Sequence, residues 1–182
     1  MKFFRSLLVL LPGLLNVACT FNSVKPLPAG GLPSANRAVI VYGVQVEGVW
    51  DYAGFGVQID EYDIEKQNIT GNCFRFNRAV ASVSSVPGPV RYFAFDVPPG
   101  HYGYSPFHAT RFAGDFVAFE APPAQIVYLG IFRFEKSQVV SLSRNLEAVR
   151  HELNAALPGL KGQVTSARAS LAKRPRPFLC AP

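Results

Sequence analysis

The sequence predicts a mainly β protein: an antiparallel two-sheet sandwich of seven or eight strands, with one or two C-terminal helices. Three observations support this fold class. Apolar and polar residues alternate with a period of two along much of residues 37–143, the pattern of half-buried strands. Proline and glycine clusters, which cannot continue a central strand, separate these runs. Helical spacing of apolar residues is found only beyond residue 143.

Four runs show the strand period most clearly, and a more continuously apolar fifth run, residues 125–135, suits a central strand. In the third run we expect Phe74 and Phe76 to face the core, so that Cys73 points outward. Shorter strand candidates are residues 101–107, 115–120 and 136–143. The four clear runs are AVIVYGVQVE (38–47), AGFGVQIDEY (53–62), NCFRFNRAVASV (72–83) and VRYFAFDV (90–97).

One helix is predicted within residues 143–159, where Leu146, Val149, Leu153 and Leu157 recur at helical spacing. Its N-cap would be Ser143 or Asn145, and Pro158-Gly159 would end it. A second, weaker helix is expected over residues 163–172. We therefore expect residues 144–182 to form a helix and a tail that pack on a sandwich domain at 37–143.

Residues 1–18 have the pattern of a secretory signal peptide. Lys2 and Arg5 precede an apolar segment, residues 3–15, with small residues after it. A membrane-spanning helix needs about 20 apolar residues. This segment is shorter and is interrupted by Pro12-Gly13, so the pattern indicates export.

The segment Leu15-Asn16-Val17-Ala18-Cys19 resembles the lipobox of bacterial lipoproteins, with a small residue before a cysteine and an apolar residue upstream. The resemblance implies cleavage after Ala18 and a lipid-modified Cys19, which would carry diacylglycerol and a palmitate-like acyl chain. Asn16 occupies the position where a lipobox has its apolar residue. The alternative is a soluble periplasmic or secreted protein. Thr20 after Cys19 is compatible with sorting to the outer membrane.

Residues 19–36 are rich in proline, glycine, serine and asparagine and show no period. We expect them to form the lipidated N-terminus and a flexible tether with a reach of roughly 20–25 Å.

Cysteine count is consistent with an oxidising compartment once Cys19 is set aside. The remaining two, Cys73 and Cys180, would form a structural disulfide. Its chain-entropy contribution would be on the order of 4–5 kcal/mol. The alternative is two unpaired or intermolecularly paired thiols.

The surplus of basic over acidic residues lies near the C-terminus. The full chain has a formal net charge of +6, which becomes +4 without Lys2 and Arg5. From Arg144 onward there are seven basic residues and two acidic ones. Such a tail could contact anionic lipids or acidic polymers. Nucleic acid is not an expected partner, because the basic residues are not interleaved with stacking aromatics.

A second resemblance is carried by residues 93–102, FAFDVPPGHY. They look like the strand, Pro-Gly turn and tyrosine-bearing strand of transthyretin-like and carboxypeptidase-regulatory-like sandwich modules. The resemblance implies a sandwich topology and transfers no catalytic residue.

No motif in the sequence indicates a reaction or a cofactor. The three histidines, His101, His108 and His151, lack the spacing of a metal site. The acidic cluster Asp60, Glu61, Asp63 and Glu65 lacks the EF-hand pattern, and G-x-S-x-G and phosphate-binding motifs are missing. We therefore predict no catalytic residue, no metal ligand and no cofactor.

The most suggestive binding residues are aromatic ones beside predicted turns. Trp50, Tyr52, Tyr102 and Tyr104 are the candidates, and we expect Trp50 to be exposed in the Gly48–Gly54 turn. The resulting hypothesis is an exported, lipid-anchored envelope protein that binds another envelope protein or the cell wall without catalysis. The alternative is a cell-wall-directed hydrolase whose site is assembled only in the fold.

Overall fold

The structure is a computed structural model that describes residues 21–27, 31–72, 74–105, 110–135 and 138–176. The predicted signal peptide, all three cysteines and His108 lie outside the described residues. Within them the chain is mainly β, as the sequence predicts, with fifteen strands and one helix. The strands are β1 Phe21–Asn22, β2 Lys25–Pro26, β3 Ala38–Val46, β4 Gly54–Asp63, β5 Asn68–Ile69, β6 Arg75–Phe76, β7 Arg78–Ser84, β8 Arg91–Val97, β9 Gly100–Ser105, β10 Arg111–Phe112, β11 Val117–Ala121, β12 Ile126–Phe134, β13 Val139–Ser143, β14 Val164–Ser166 and β15 Ala169–Leu171.

The first large sheet is built around two parallel strands, β3 and β12. Its order is β10-β13-β12-β3-β8-β2, and β14 also pairs with β12. β3 and β12 are buried almost throughout because the sheet is covered on both faces, which explains their nearly continuous apolar sequences. The prediction that residues 125–135 form a central strand is confirmed. The parallel pairing of β3 with β12 differs from the all-antiparallel arrangement that we expect from the sequence.

The second large sheet has the order β15-β11-β9-β4-β5, and β7 pairs with the same strand, β4. β8 and β9 belong to different sheets, so Pro98-Pro99 carries the chain from one sheet to the other and does not close a hairpin. A third, two-stranded sheet pairs β1 with β6 in parallel.

The main core contains residues of both large sheets and is rich in aromatic rings. The Tyr42 hydroxyl of β3 donates to the Val57 carbonyl of β4 at 3.3 Å. The Tyr104 ring of β9 stacks on Phe132 of β12 with ring centroids 5.7 Å apart. The predicted two-sheet sandwich of seven or eight strands is not confirmed in this form: the described strands make three sheets, and one sheet curls into a half-barrel.

The helix α1, Leu146–Ala156, confirms the first helix prediction. Asn145 is its N-cap, and its side chain accepts a hydrogen bond from the Ala148 backbone N–H at 3.1 Å. Leu146 and Leu153 pack in a second apolar cluster, on the other face of the β3–β12 sheet. The prediction of a second helix over residues 163–172 is wrong, since that segment forms β14 and β15.

The segment 21–27 packs against both large sheets and differs there from a flexible tether. β2 pairs with β8, and the side chain of Val24 belongs to the main core. The Arg37 side chain donates to the Ser23 carbonyl at 2.9 Å and to the Asp96 carboxylate at 2.8 Å. Side-chain hydrogen bonds also hold this segment: the Asn22 amide donates to the Arg78 backbone carbonyl, and the Ser23 hydroxyl donates to the Asn77 side chain.

Strand directions define two opposite ends of the molecule. The N-terminal end comprises residues 21–26, 63–72, 74–76 and 98–99, where β4 and β8 finish and β3 and β9 begin. The distal end comprises the loops 47–53 and 85–90. The nine residues of β3 connect the two ends, a distance of roughly 26 Å.

Gly130 provides a test of the packing between β12 and β13. Its φ is +137°, at an irregularity in the β3–β12 register. A Cβ there would lie 2.5 Å from Leu142 Cδ1 and 2.7 Å from the Ser143 carbonyl oxygen. We expect Gly130→Ala to lower the free energy of unfolding by about 2–3 kcal/mol, through strain and overlap. Urea unfolding measures it.

Gly88→Ala is the matched control, because its Cβ would come no nearer than 3.8 Å to the Val86 carbonyl oxygen. We expect this variant to unfold within about 0.5 kcal/mol of the wild type. Equal stability losses in the two variants would contradict the packing described for Gly130.

Candidate functional site

Trp50 is buried, contrary to the prediction that this ring is exposed. Only 7% of the residue is accessible to solvent. Its indole N–H donates to the Gly54 carbonyl at 2.8 Å, and its ring meets Phe55 and Phe134 at centroid distances of 5.2 and 4.8 Å. The turn folds back over the end of the core, so the largest apolar side chain in it is covered.

Tyr102 and Tyr104 are also core residues. The Tyr102 hydroxyl donates to the Pro98 carbonyl at 2.7 Å, and the Tyr104 hydroxyl lies 2.7 Å from that of Thr110. Burial raises the pKa of Tyr104 to about 12 and raises the pKa of Tyr102 as well. Of the four aromatic candidates, the structure leaves only Tyr52 largely exposed, at 54%.

The acidic and histidine candidates do not converge. Asp60 is buried and forms an ion pair with Arg78 at 2.6 Å. The Asp63 carboxylate accepts the Lys66 ammonium at 2.9 Å, and this hydrogen bond lowers its pKa. His101 lies in β9 and His151 on α1. Among the described residues, no group of three or more histidine, cysteine or acidic side chains could hold a metal ion.

A surface pocket of about 310 Å³ lies beside the start of β12. It is lined mainly by Leu32, Pro33, Gln125, Lys161, Gln163 and Thr165. None of its described lining residues carries a carboxylate or an imidazole, so the acid and base pair of a glycan or peptide hydrolase is not provided at this pocket.

The distal end carries apolar side chains that are not absorbed into the core. Val49 is 85% exposed and Val86 is 69% exposed, one in each loop. Loop 85–90 is held to the end of β3 by two hydrogen bonds: Gly88 N–H donates to the Val46 carbonyl at 3.3 Å, and the Gln45 side chain donates to the Gly88 carbonyl at 3.1 Å. Apolar residues presented on such a fixed base are typical of contact surfaces.

Beside these loops, the outer edge of β7 is open over part of its length. At its first residue, Arg78, the Asn22 side-chain amide donates to the backbone carbonyl at 2.8 Å and accepts from the N–H at 3.1 Å. Because strand residues alternate, the N–H and C=O groups of Val80 and Ser82 point to the same outer side. Among the described residues, β7 pairs only with β4.

Residues 21–27 cover the gap between β7 and β8 near the N-terminal end only, as the burial of the inward-facing residues of these strands shows. Near the N-terminal end, the inward-facing residues Ala79 and Phe95 are buried. Towards the distal end, Val83 and Phe93 pack against the same core but remain partly exposed. The open part of this edge therefore continues into the distal loops, and together they form the candidate contact surface.

Sequence reasoning missed this surface because it looked for aromatic residues. The available signal was an aliphatic residue inside a turn segment, in Gly48-Val49 and in Val86-Pro87. Turn conformations typically use glycine, proline, asparagine, aspartate and serine. An aliphatic residue in a turn is therefore not explained by the turn itself and can indicate a contact.

The separate roles of Trp50 and Val49 can be measured. We expect Trp50→Ala to lower the free energy of unfolding by about 3–5 kcal/mol, because it leaves a cavity between Phe55 and Phe134. The exposed neighbour Val49, changed to alanine, is expected to alter it by less than about 0.5 kcal/mol. Urea unfolding of both variants checks this. A stability loss below about 1 kcal/mol for Trp50→Ala would show that this ring is not structural.

Among the described residues, no helix combines the length and hydropathy required to cross a membrane. No protein-family model, no curated protein and no solved structure matches the chain.

Proposed function

We propose that the protein is an exported, lipid-anchored envelope protein that acts as a non-catalytic binding module. One observation carries this proposal. The exposed apolar loops of the distal end lie at the opposite end of the β-structure from Phe21, which is two residues after the predicted lipidated Cys19. An anchor at one end and a contact surface at the other are the arrangement that a membrane-held binding module needs.

The expected anchoring point is close to the folded structure. Two residues of chain reach at most about 7 Å, so a lipid on Cys19 would lie near the N-terminal end. The distal loops would then face away from the membrane, at roughly the length of β3 from it. Sorting to the outer membrane, with the loops in the periplasm or at the cell surface, is part of the proposal.

The contact surface suits a protein or polymer chain better than a small substrate. Val49, Tyr52 and Val86 lie in exposed loops. The part of the β7 edge that has no strand partner among the described residues offers backbone groups with which an extended chain could pair. We infer a two-sheet sandwich as the scaffold, with the transthyretin-like resemblance of residues 93–102 as its sequence support. The crossing of residues 98–99 between sheets is compatible with such a sandwich.

A Cys73–Cys180 disulfide is part of the proposal, and the chain around both cysteines supports it. Arg176 N–H donates to the Asn68 side chain at 3.1 Å, and Lys173 N–H donates to the Gln67 side chain at 2.8 Å. The tail therefore passes Asn68, which is five residues before Cys73 in the sequence. Four further residues, up to about 14 Å of chain, lead from Arg176 to Cys180.

Phe74, adjacent to Cys73, is 61% exposed, so the prediction that this ring faces the core is wrong. Its backbone carbonyl accepts a hydrogen bond from Phe21 N–H at 2.6 Å. The chain segments next to Cys19 and Cys73 therefore lie side by side. A thioether-linked lipid on Cys19 would block that thiol, and would leave Cys180 as the partner of Cys73.

Mass spectrometry of the mature protein from its native host tests the anchor and the disulfide together. We expect an N-terminal peptide that begins at Cys19 and carries a diacylglycerol-sized addition, and a Cys73–Cys180 peptide pair that separates on reduction. An unmodified N-terminus with Cys19 linked to Cys73 would contradict both assignments and would favour a protein without a lipid anchor.

Site-specific photo-crosslinking in cells tests the contact surface. A crosslinking residue at Val49 or Val86 is expected to give the same envelope adduct, because both positions lie at the distal end. The matched control is Leu171, an exposed apolar residue on β15 at the other edge of the β4 sheet. It should not give that adduct.

Identical adducts from all three positions would contradict a distal contact surface. Hydrolysis of purified peptidoglycan by the wild-type protein, without any adduct from Val49 or Val86, would instead support the alternative of a cell-wall hydrolase.

A further inference from the structure

We propose that the N-terminal end carries a membrane-docking face that binds an anionic lipid surface directly. The face consists of Phe21, Phe74 and Arg75, with Phe76 and Arg78 beside them. This inference deepens the proposed envelope function by assigning a membrane-contacting surface to the folded chain. The residues of the face belong to the folded part of the protein, and the choice of a lipid surface over a protein partner rests on the anchor proposed at Cys19.

The two phenylalanines at the centre of this face are held together and project into solvent. The backbone N–H of Phe21 donates to the carbonyl of Phe74 at 2.6 Å, and β1 pairs with β6 in a parallel register that places Phe21 opposite Arg75. Phe21 is 56% exposed and Phe74 is 61% exposed. Neither ring belongs to the main core or to the second apolar cluster.

Cationic groups accompany these rings. The Arg75 guanidinium carbon lies 5.9 Å from the centre of the Phe21 ring, and that of Arg78 lies 5.3 Å from the Phe76 ring. Such cation–π contacts keep a guanidinium beside an aromatic ring. Aromatic rings that enter the headgroup region, together with cations that meet lipid phosphates, are the features of interfacial membrane binding.

The charge balance near the face favours an anionic surface. Arg75, Lys25 and Arg176 are exposed and form no ion pair within the described chain. Of the four carboxylates at residues 60–65, Asp60 pairs with Arg78 and Asp63 pairs with Lys66. Glu61 and Glu65 form no ion pair among the described residues, and Glu61 accepts hydrogen bonds from Thr70 and Asn77. Arg75, Lys25 and Arg176 can therefore interact with lipid headgroups without breaking an ion pair within the protein.

The position of the face fits a lipid surface better than a protein partner. A lipid on Cys19 would be held within about 7 Å of Phe21 by the two intervening chain steps. The docking face would bring the folded chain against the headgroups beside this anchor and would orient the distal loops away from the membrane.

Vesicle partitioning of the lipid-free mature chain, from Thr20 onward, tests the proposal. The vesicles contain phosphatidylethanolamine and phosphatidylglycerol in a ratio of about three to one. We expect measurable binding that falls about tenfold in Phe74→Ser, since one exposed ring no longer enters the interface. Arg75→Glu should also fall about tenfold, and this loss should disappear with vesicles of phosphatidylcholine alone or at high salt.

Two variants at the distal end are the matched controls. Val49→Ser removes an exposed apolar side chain, and Arg91→Glu reverses an exposed charge, both far from the docking face. Both should bind vesicles like the wild type. Unchanged urea unfolding of all four variants verifies that each remains folded.

Fluorescence provides an independent measurement, because Trp50 is the one tryptophan of the sequence and is buried at the distal end. Vesicles should leave the emission of the wild type unchanged and should shift that of Phe74→Trp to shorter wavelength.

Equal binding by the wild type and Phe74→Ser, or an equal loss in Val49→Ser, would overturn the docking face. Self-association of the wild type that Phe74→Ser abolishes, without vesicle binding, would also overturn it, in favour of a second copy of the chain. None of these results would affect the distal crosslinks or the mass of the N-terminal peptide, so the proposed function would be judged separately.

Discussion

The aromatic core between the two large sheets is the interaction on which the other features depend. Near the distal end, Trp50 contacts Phe55 and Phe134, and farther along the core Tyr42 and Tyr104 contact Phe132. Rings of this size in edge-on and stacked contact fill the space between the sheets and contribute beyond their buried area. The core thereby contains three of the four aromatic residues that sequence reasoning assigns to binding, Trp50, Tyr102 and Tyr104, and it fixes the distance between the two ends of the molecule.

Much of the fold could be predicted because burial imposes a period on the sequence. The runs that form β3, β4, β8 and β12 show the strand pattern, and Leu146, Val149 and Leu153 of α1, with its C-cap Leu157, show the helix pattern. The order of the strands could not be predicted in this way, since the periodicity of a strand does not specify which other strand pairs with it. The parallel contact of β3 with β12 joins segments more than 80 residues apart, and no local signal specifies it.

The errors have physical causes that differ from one segment to the next. Residues 163–172 contain helix-compatible alanine, serine and arginine, but the open edges of β12 and β11 supply partners, so tertiary pairing overrides propensity. Trp50 lies in a turn, where sequence suggests exposure, and only the fold-back of that turn onto Phe55 buries it. Phe74 alternates with residues of a predicted strand, but regular strand pairing begins after it, at Arg75.

Residues 21–27 make the two ends of the molecule different, because they cover the gap between β7 and β8 at one end only. Val24 enters the core, Asn22 completes the first hydrogen bonds of the β7 edge, and Arg37 ties Ser23 to Asp96. The segment therefore closes the gap between β7 and β8 near the N-terminal end and leaves it open near the distal loops. The proposed anchor at Cys19, two residues before this segment, would lie within about 7 Å of it. Orientation at a membrane would then be set by the fold, and the open edge and distal loops would be presented away from the lipid in a constant geometry.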